Sequence, residues 1–350
     1  MKKFGNHIKT PRSNSARFFI LLAVCVGMLV ILSVAFIVLG AKAIRLSDIW
    51  NALFRFDAEE INQVIVRNLR IPRLLADIIV GVSLSVSGAV MQGNTKNPMA
   101  DSGIMGISAG SMFAVMLIMA FLPSATKLEI IGYSCLGAGV ATLLIYGVAM
   151  MGRRGITADR MVLSGMAIST LFSSVTSAIV LKMGMSSSMM KYTAGSSAST
   201  VWTDIAIAGP FFIMGFLASL LISRALTIMN LGEDVSRGLG ANIRFIKFVS
   251  TMVVLVLSAI AVVVIGPVGY VGLMVPHIVR YFVGTDYRFV LPSCAALGAV
   301  LVVLVDLVAR LILPGREFPV GILLTIIGVP FFIFTSRRQK SDAFGKGAGQ

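Results

Sequence analysis

Long apolar runs, separated by short polar segments, take up almost the whole chain. A bilayer crossing by a helix needs roughly 20 apolar residues at about 1.5 Å each. Runs of that kind lie near 18–40, 72–92, 103–122, 128–151, 161–183, 203–228, 246–268, 289–312 and 318–335. A shorter piece near 273–282 contains Pro276 and His277 and predicts a broken crossing. Backbone groups in lipid must be paired internally, so the runs predict helices. Alternating segments of roughly ten residues, the mark of a transmembrane barrel, are absent. The expected class is an all-α polytopic membrane protein. Its largest polar segments are Ala41–Asn62, Met183–Thr203 and Asn230–Ala241.

Composition agrees: hydrophobic residues make up 57% of the chain and charged residues 13%, against about 25% charged in an ordinary soluble domain. The net charge of +15 would invite a nucleic-acid reading, but the basic residues sit between apolar runs, where topology signals sit. The tail Met1–Arg17 carries Lys2, Lys3, Lys9, Arg12 and Arg17, and the other end carries Arg337, Arg338, Lys340 and Lys346. Two basic tails on the cytoplasmic side require an even number of crossings. The broken piece then becomes the tenth, and the 30 Lys and Arg divide 19 inside to 11 outside. Arg153, Arg154, Arg160, Arg237, Arg244, Lys247, Arg280 and Arg288 fall inside, and Asp57, Glu59 and Glu60 outside. The first apolar run reads as a retained span, since no small-residue cleavage site follows it.

Catalytic constellations are missing from the sequence. His7 and His277 are the two histidines, and HExxH, CxxC and Walker patterns do not occur. Cys25, Cys135 and Cys294 lie in apolar runs and read as small buried hydrophobes. Gly106–Gly110 matches GxSxG, but small residues in a membrane helix mean close helix approach. Gly81, Ser85 and Gly88 on one run and Ser108 on the next fit such packing, and with Gln92 they are also candidates to line a passage. Asn97 and Pro98 predict the start of the following helix, with Asp101 near its positive end. Gly266–Gly272, with Pro267, predicts broken helix tolerated only inside protein or beside water. Asp77 and Asp306 are acidic residues at membrane depth. Asp306 stands four residues before Arg310, which predicts a pair along one helix. Arg70, Arg73 and Arg310 fall at outer span ends, either snorkelling to headgroups or forming a dock for an acidic protein.

Arg70-Ile71-Pro72-Arg73-Leu74, Gly81–Gly93, Asn97–Asp101, Leu231–Gly240, Gly266–Leu273, Pro276–Arg280, Asp306–Arg310, Glu317–Gly321 and Gly328–Phe332 occur in this order. In these stretches the chain resembles the FecCD-like permease subunits of binding-protein-dependent ABC importers for iron–siderophore complexes, haem and cobalamin. The resemblance covers residues 18–337, departing at Met99 and Ser102. It implies ten helices, a second identical or homologous permease subunit, two cytoplasmic ATPase subunits and an extracytoplasmic substrate-binding protein. It implies no cofactor in this chain, with ATP and Mg on the ATPase subunits, and no catalytic role. Arg70, Arg73 and Arg310 would meet the binding protein. The region 230–244, with Leu231, Gly232, Glu233, Asp234, Arg237, Gly238, Leu239 and Gly240, would dock on the ATPase, and Gly81–Gly93 would line the passage. The expected place is a bacterial inner or plasma membrane with both tails, 1–17 and 338–350, in the cytoplasm. The expected cargo is an iron–siderophore complex, with haem and cobalamin as alternatives. A secondary transporter driven by ions is the rival class, with Asp77 and Gly266–Gly272 as its best features.

Overall fold

The computed structural model describes residues 11–40, 43–103, 106–151, 158–186, 189, 193–312 and 318–347, and side chains for these except 11–14, 158–159, 233–234 and 336–347. The expected tail residues Lys2, Lys3 and Lys9, together with Arg153, Arg154 and Glu317, lie outside the described residues. So do the side chains of Glu233, Asp234 and the basic C-terminal tail.

The described chain is helical: α1 Pro11–Val38, α2 Leu46–Phe54, α3 Ile61–Ile65, α4 Ile71–Thr95, α5 Ile107–Phe121, α6 Lys127–Met150 and α7 Ala158–Lys182. There follow α8 Trp202–Leu221, α9 Ser223–Met229, α10 Glu233–Gly238, α11 Ile243–Val264, α12 Val271–Val283, α13 Tyr287–Ile312 and α14 Val320–Gly347. Among the described residues seven helices are long and apolar enough to cross a membrane, and three shorter apolar ones occur at Ile107–Phe121, Val271–Val283 and Val320–Thr335. This is an all-α polytopic membrane protein.

Local chemistry sets several boundaries. Thr126 and Glu129 form a capping box at α6, and the Asn242 side chain accepts from Phe245 N at α11 (3.1 Å). Pro72 in the first turn of α4 lacks an N–H that would have no helical partner there. Two boundaries depart from expectation. The run 203–228 is divided near Ile222 into α8 and α9. Asn97 does not open the next helix: its side chain accepts from Met99 N (2.9 Å) in a local turn, and α5 begins ten residues later, at Ile107. Asp101 is accordingly buried and accepts from Gly103 N (3.2 Å), with its carboxylate against Gly272 in the first turn of α12 and not at the start of α5.

Helix α4 is the axis. Its span is 89% buried, whereas that of α1 is 11% buried. Two glycine contacts permit this depth. A Cβ at Gly81 would lie 2.7 Å from the Gly298 carbonyl carbon on α13 and 2.9 Å from Ala299 Cα. One at Gly88 would meet the Gly272 backbone on α12. With the backbones so close, Ser85 Oγ donates to Cys294 O (2.8 Å) and Gln92 Nε2 to Gly272 O (3.0 Å). Val80, Val86, Leu291 and Val302 fill the surrounding core.

The helices also define two ends. Trp202 Nε1 donates to Arg67 O (2.8 Å), and Lys127 pairs with Asp204 (2.6 Å), so α4, α6 and α8 start at one end. Gln92 near the close of α4 meets Arg280 near the close of α12, and Thr227 of α9 meets Asp286 before α13, at the other.

Overfilling a tight backbone contact costs about 1–3 kcal/mol. Gly298→Leu is expected to lower the thermal stability of the purified protein clearly. Gly147→Leu, at a site with open space around its Cβ, is expected to leave it within error. Thermal melts in one detergent compare the two, and equal melts would remove the α4–α13 contact from its role.

Candidate functional site

At one end, two arginines, Arg70 and Arg310, gather around the last turn of α1. Arg70 Nη1 donates to Ile37 O and to Val38 O (3.1 Å), and Arg310 Nη1 to Phe36 O (3.1 Å). The last carbonyls of a helix have no helical donors and carry the negative end of its dipole, so guanidinium groups satisfy both needs. Arg310 also stands over the Phe36 ring at 4.7 Å. A Cβ at Gly40 would overlap the Arg310 guanidinium, so the chain passes beneath the cluster with no side chain.

Arg73 has a different partner. Its Nε and Nη2 donate to the two carboxylate oxygens of Asp306 at 2.7 and 2.6 Å, a two-pronged pair. The expected pair of Asp306 with Arg310 along α13 is therefore corrected. The carboxylate turns across the helix interface to Arg73, whose planar fork matches it, and Arg310 is held by the Phe36 carbonyl and ring of α1. Asp306 and Asp77 are both fully buried, with Ser197 Oγ 3.4 Å from Asp306. Asp77 lies beside Asp306, Arg73 and Ser197. Ser197 arrives on an irregular segment fixed by Ser196 N to Ile265 O (3.0 Å) and Gly321 N to Gly195 O (3.2 Å). Such backbone is stable at membrane depth because protein surrounds it.

Between the ends lies a cavity of about 370 Å³. Its walls are Ser108 and Met112 of α5, Ser169, Ser173 and Thr176 of α7, Met189, Thr193, and the broken stretch Pro267–Tyr270 before α12. Tyr270 is one of two non-glycine residues with positive φ (71°) among the described residues. Among the described residues the lining carries hydroxyls and thioethers and no charged side chain.

At the opposite end a hydrogen-bonded knot ties α4, α9, α12 and α13. Arg280 Nη1 donates to Gln92 Oε1 (2.6 Å) and Nη2 to Tyr287 Oη (3.2 Å). Tyr287 N donates to Thr227 Oγ1 (2.9 Å), and Thr227 Oγ1 also lies 3.1 Å from Asp286 Oδ1. Burial alone would raise the Asp286 carboxyl. Hydrogen bonds from the Arg288 side chain and backbone and from Thr227 outweigh it and hold the group below the usual carboxylate range. One step on, Ser236 of α10 is fully buried and lies within hydrogen-bond distance of Ile228 O (3.0 Å) and Gly232 O (2.5 Å). This anchors α10 while Leu231, Val235 and Leu239, spaced four apart, stay 63%, 50% and 63% exposed. Arg237, Gly238 and Gly240 are exposed beside them, and Gly232 and Gly240 have positive φ at the two ends of α10.

Of the residues proposed from sequence to line a passage, Ser108 alone borders the cavity. Gly81, Ser85, Gly88 and Gln92 are buried in contacts between helices of this chain. Sequence reasoning missed Ser169, Ser173 and Thr176, although their spacing of four and three marks one face of α7. It also missed the partners of Arg280, a lone cation in the short helix α12.

The sequence pattern of the FecCD transport family matches residues 25–338. The chain is 37% identical to the Iron(3+)-hydroxamate import system permease protein FhuB of Bacillus subtilis (strain 168), over 86% of this chain and 79% of that protein. It is 36% identical to the Cobalamin import system permease protein BtuC of Halobacterium salinarum, over 83% and 78%. It is 31% identical to the Hemin transport system permease protein HmuU of Yersinia pestis, over 91% and 95%. An inward-facing structure of an ABC transporter assigned to the metal-chelate type superposes with a TM-score of 0.76 at 26% identity, covering 91% of this chain and 98% of the other.

Removing one partner from a buried ion pair costs about 3–5 kcal/mol, because the other charge stays buried. Arg73→Met and Asp306→Leu are each expected to destabilise strongly, and the double variant to recover much of the loss. Thermal melts of the four proteins form the cycle; additive losses would contradict the pairing.

Proposed function

This chain belongs to the FecCD transport family, and from that premise we propose that it is the permease of an ATP-driven importer whose cargo is an iron–siderophore complex. It is a non-catalytic transport subunit. The carrying observation is the polarity of the molecule: an arginine cluster closes one end, an anchored helix with an exposed apolar stripe lies at the other, and the hydroxyl-lined cavity sits between them. Family membership implies a second permease subunit, two ATPase subunits and an external binding protein. The substrate assignment is supported by relatives named for ferric hydroxamate, ferric citrate and ferric enterobactin. Haem and cobalamin permeases stand at similar identity, so the binding protein makes the selection among chelates.

In this reading the three shorter apolar helices complete ten crossings, and both tails lie in the cytoplasm beside the ATPase. Arg70, buried, and Arg73 and Arg310, half-buried, brace the outer end, and acidic loops of a loaded binding protein register against the positive field of that end. Leu231, Val235 and Leu239 seat α10 in the ATPase. Closure of the ATPase moves α10 as a rigid body, and the knot of Thr227, Tyr287, Arg280 and Gln92 carries the displacement to α4 and α12, whose leading turn borders the cavity. Glu233, Asp234, Arg237 and the flanking glycines set the shape and charge of the seat.

Reconstitution with the ATPase and binding protein tests the whole reading. ATP-dependent uptake of a ferric hydroxamate supports it, while ion-driven uptake without any ATPase overturns it. Gly238→Trp enters open space, so the permease is expected to fold and melt normally while losing co-purified ATPase; normal co-purification would remove α10 from the contact. Charge reversal at Arg73 would disturb folding through Asp306, so Arg70→Lys and Arg310→Lys are the informative changes at the dock. Each keeps the charge and loses the planar fork. Severalfold weaker binding of the loaded binding protein is expected, together with a lower melting temperature from the α1 carbonyls that lose their donors, so affinity is measured below the melting range of each variant. Unchanged affinity in both variants would take the arginines out of the dock.

A further inference from the structure

Helix α2 lies in the segment Ala41–Asn62, which hydropathy averages to a polar loop. Apart from Ser47, its exposed residues are apolar. Leu46 is 68% exposed, Trp50 63%, Leu53 56% and Phe54 66%, at helical offsets of four, seven and eight that form one stripe. The Trp50 and Phe54 rings meet at 4.4 Å, so the stripe is a continuous aromatic and aliphatic surface.

The remaining faces of α2 are already occupied. Ala52, fully buried, packs with Ile44 and Val66, and Ile49 leans on the same cluster. On the third face Asp48 accepts from Asn62 Nδ2 (2.9 Å), and Ser47 and Asn51 lie alongside. The helix is thus fixed to the arginine end of the protein by one side, with its apolar stripe turned outward. Just before it in the chain, α1 presents Val30, Ile31, Val34 and then Leu39 to the outside. Val30, Ile31 and Val34 belong to the least buried of the candidate membrane spans, so the stripe follows closely on an apolar surface suited to lipid. Arg45 and Arg55, both exposed, bracket the helix. Tryptophan at headgroup depth with flanking cations is the composition of a helix lying in the interface.

We propose that α2 is an interfacial anchor, lying in the plane of the bilayer with Leu46, Trp50, Leu53 and Phe54 inserted at the boundary between headgroups and acyl chains. The occupant is phospholipid, and Arg45 and Arg55 reach its phosphates. The anchor fixes the depth of the arginine end, since α2 is seated on the turn that carries Val66 and leads into Arg70. It rests on the membrane class of the protein alone and does not depend on which cargo is carried or on which side the arginine end faces.

The test uses the full chain in phospholipid vesicles, carrying one nitroxide label at a time at Leu46→Cys, Ser47→Cys, Leu53→Cys or Ala58→Cys, with the native cysteines replaced by alanine. Collisions with oxygen, which concentrates in acyl chains, are compared with collisions with a water-soluble nickel chelate. The oxygen-to-nickel ratio at positions 46 and 53 is expected to exceed that at 47 and 58 severalfold, with and without a loaded binding protein. Equal ratios at all four positions would place the stripe in water and overturn the proposal. Low access to both reagents at 46 and 53 would place it against protein and overturn the proposal equally. Loss of the ratio on adding the binding protein would reassign the stripe as a dock.

Discussion

Backbone contact between α4 and its two neighbours governs the molecule. Gly81 against Gly298 and Gly88 against Gly272 let three helices approach where any side chain would hold them apart. No hydrophobic driving force separates helix from lipid inside a bilayer, so association relies on close packing and on hydrogen bonds between helices. The contacts supply the first and create the second, since Ser85 and Gln92 reach carbonyls on α13 and α12 only because the backbones are near. The same axis holds Arg73 against Asp306 at one end and Gln92 against Arg280 at the other.

Polar groups at depth then sort by whether they have partners. Arg73 with Asp306 and Gln92 with Arg280 are two- or three-membered sets that tie separate helices together. A charge left single at such depth would be far more costly than the pair. The cavity is different in kind. Its hydroxyls line a space instead of closing a contact, and its wall includes Pro267–Tyr270, where the regular helix gives way. Rigid contact around α4 and an open wall on α5 and α7 are what a subunit needs if part of it is to move against the rest.

Much of the fold was legible in the sequence. Apolar length placed the long helices, since nothing but internal pairing satisfies a backbone in lipid. The density of glycine and proline at 266–272 located the break before α12. Helix α2 was not legible, because a stripe on one face of a nine-residue helix averages out in a window made for spans. The site was harder. Arg73 was visible as a cation at a span end, but its partner is 233 positions away, and no local spacing rule reaches that far. Spacing favoured Arg310 instead, and the three-dimensional crossing of α4 and α13 overrode it. Gly81, Ser85 and Gly88 were read both as close helix packing and as candidates to line a passage; the packing is present in this chain, and the sequence cannot say whether a small face meets a helix or a void.

The account stands on the two ends of α4 belonging to opposite sides of the membrane. Single cysteines at Glu59, beside the arginine end, and at Leu239, beside α10, both exposed, report this directly when Cys25, Cys135 and Cys294 are replaced by alanine. An impermeant maleimide applied to sealed cells is predicted to label the first and spare the second until the membrane is opened. Labelling of both from outside, or of Leu239→Cys alone, would contradict the assignment of an outer dock and an inner ATPase seat.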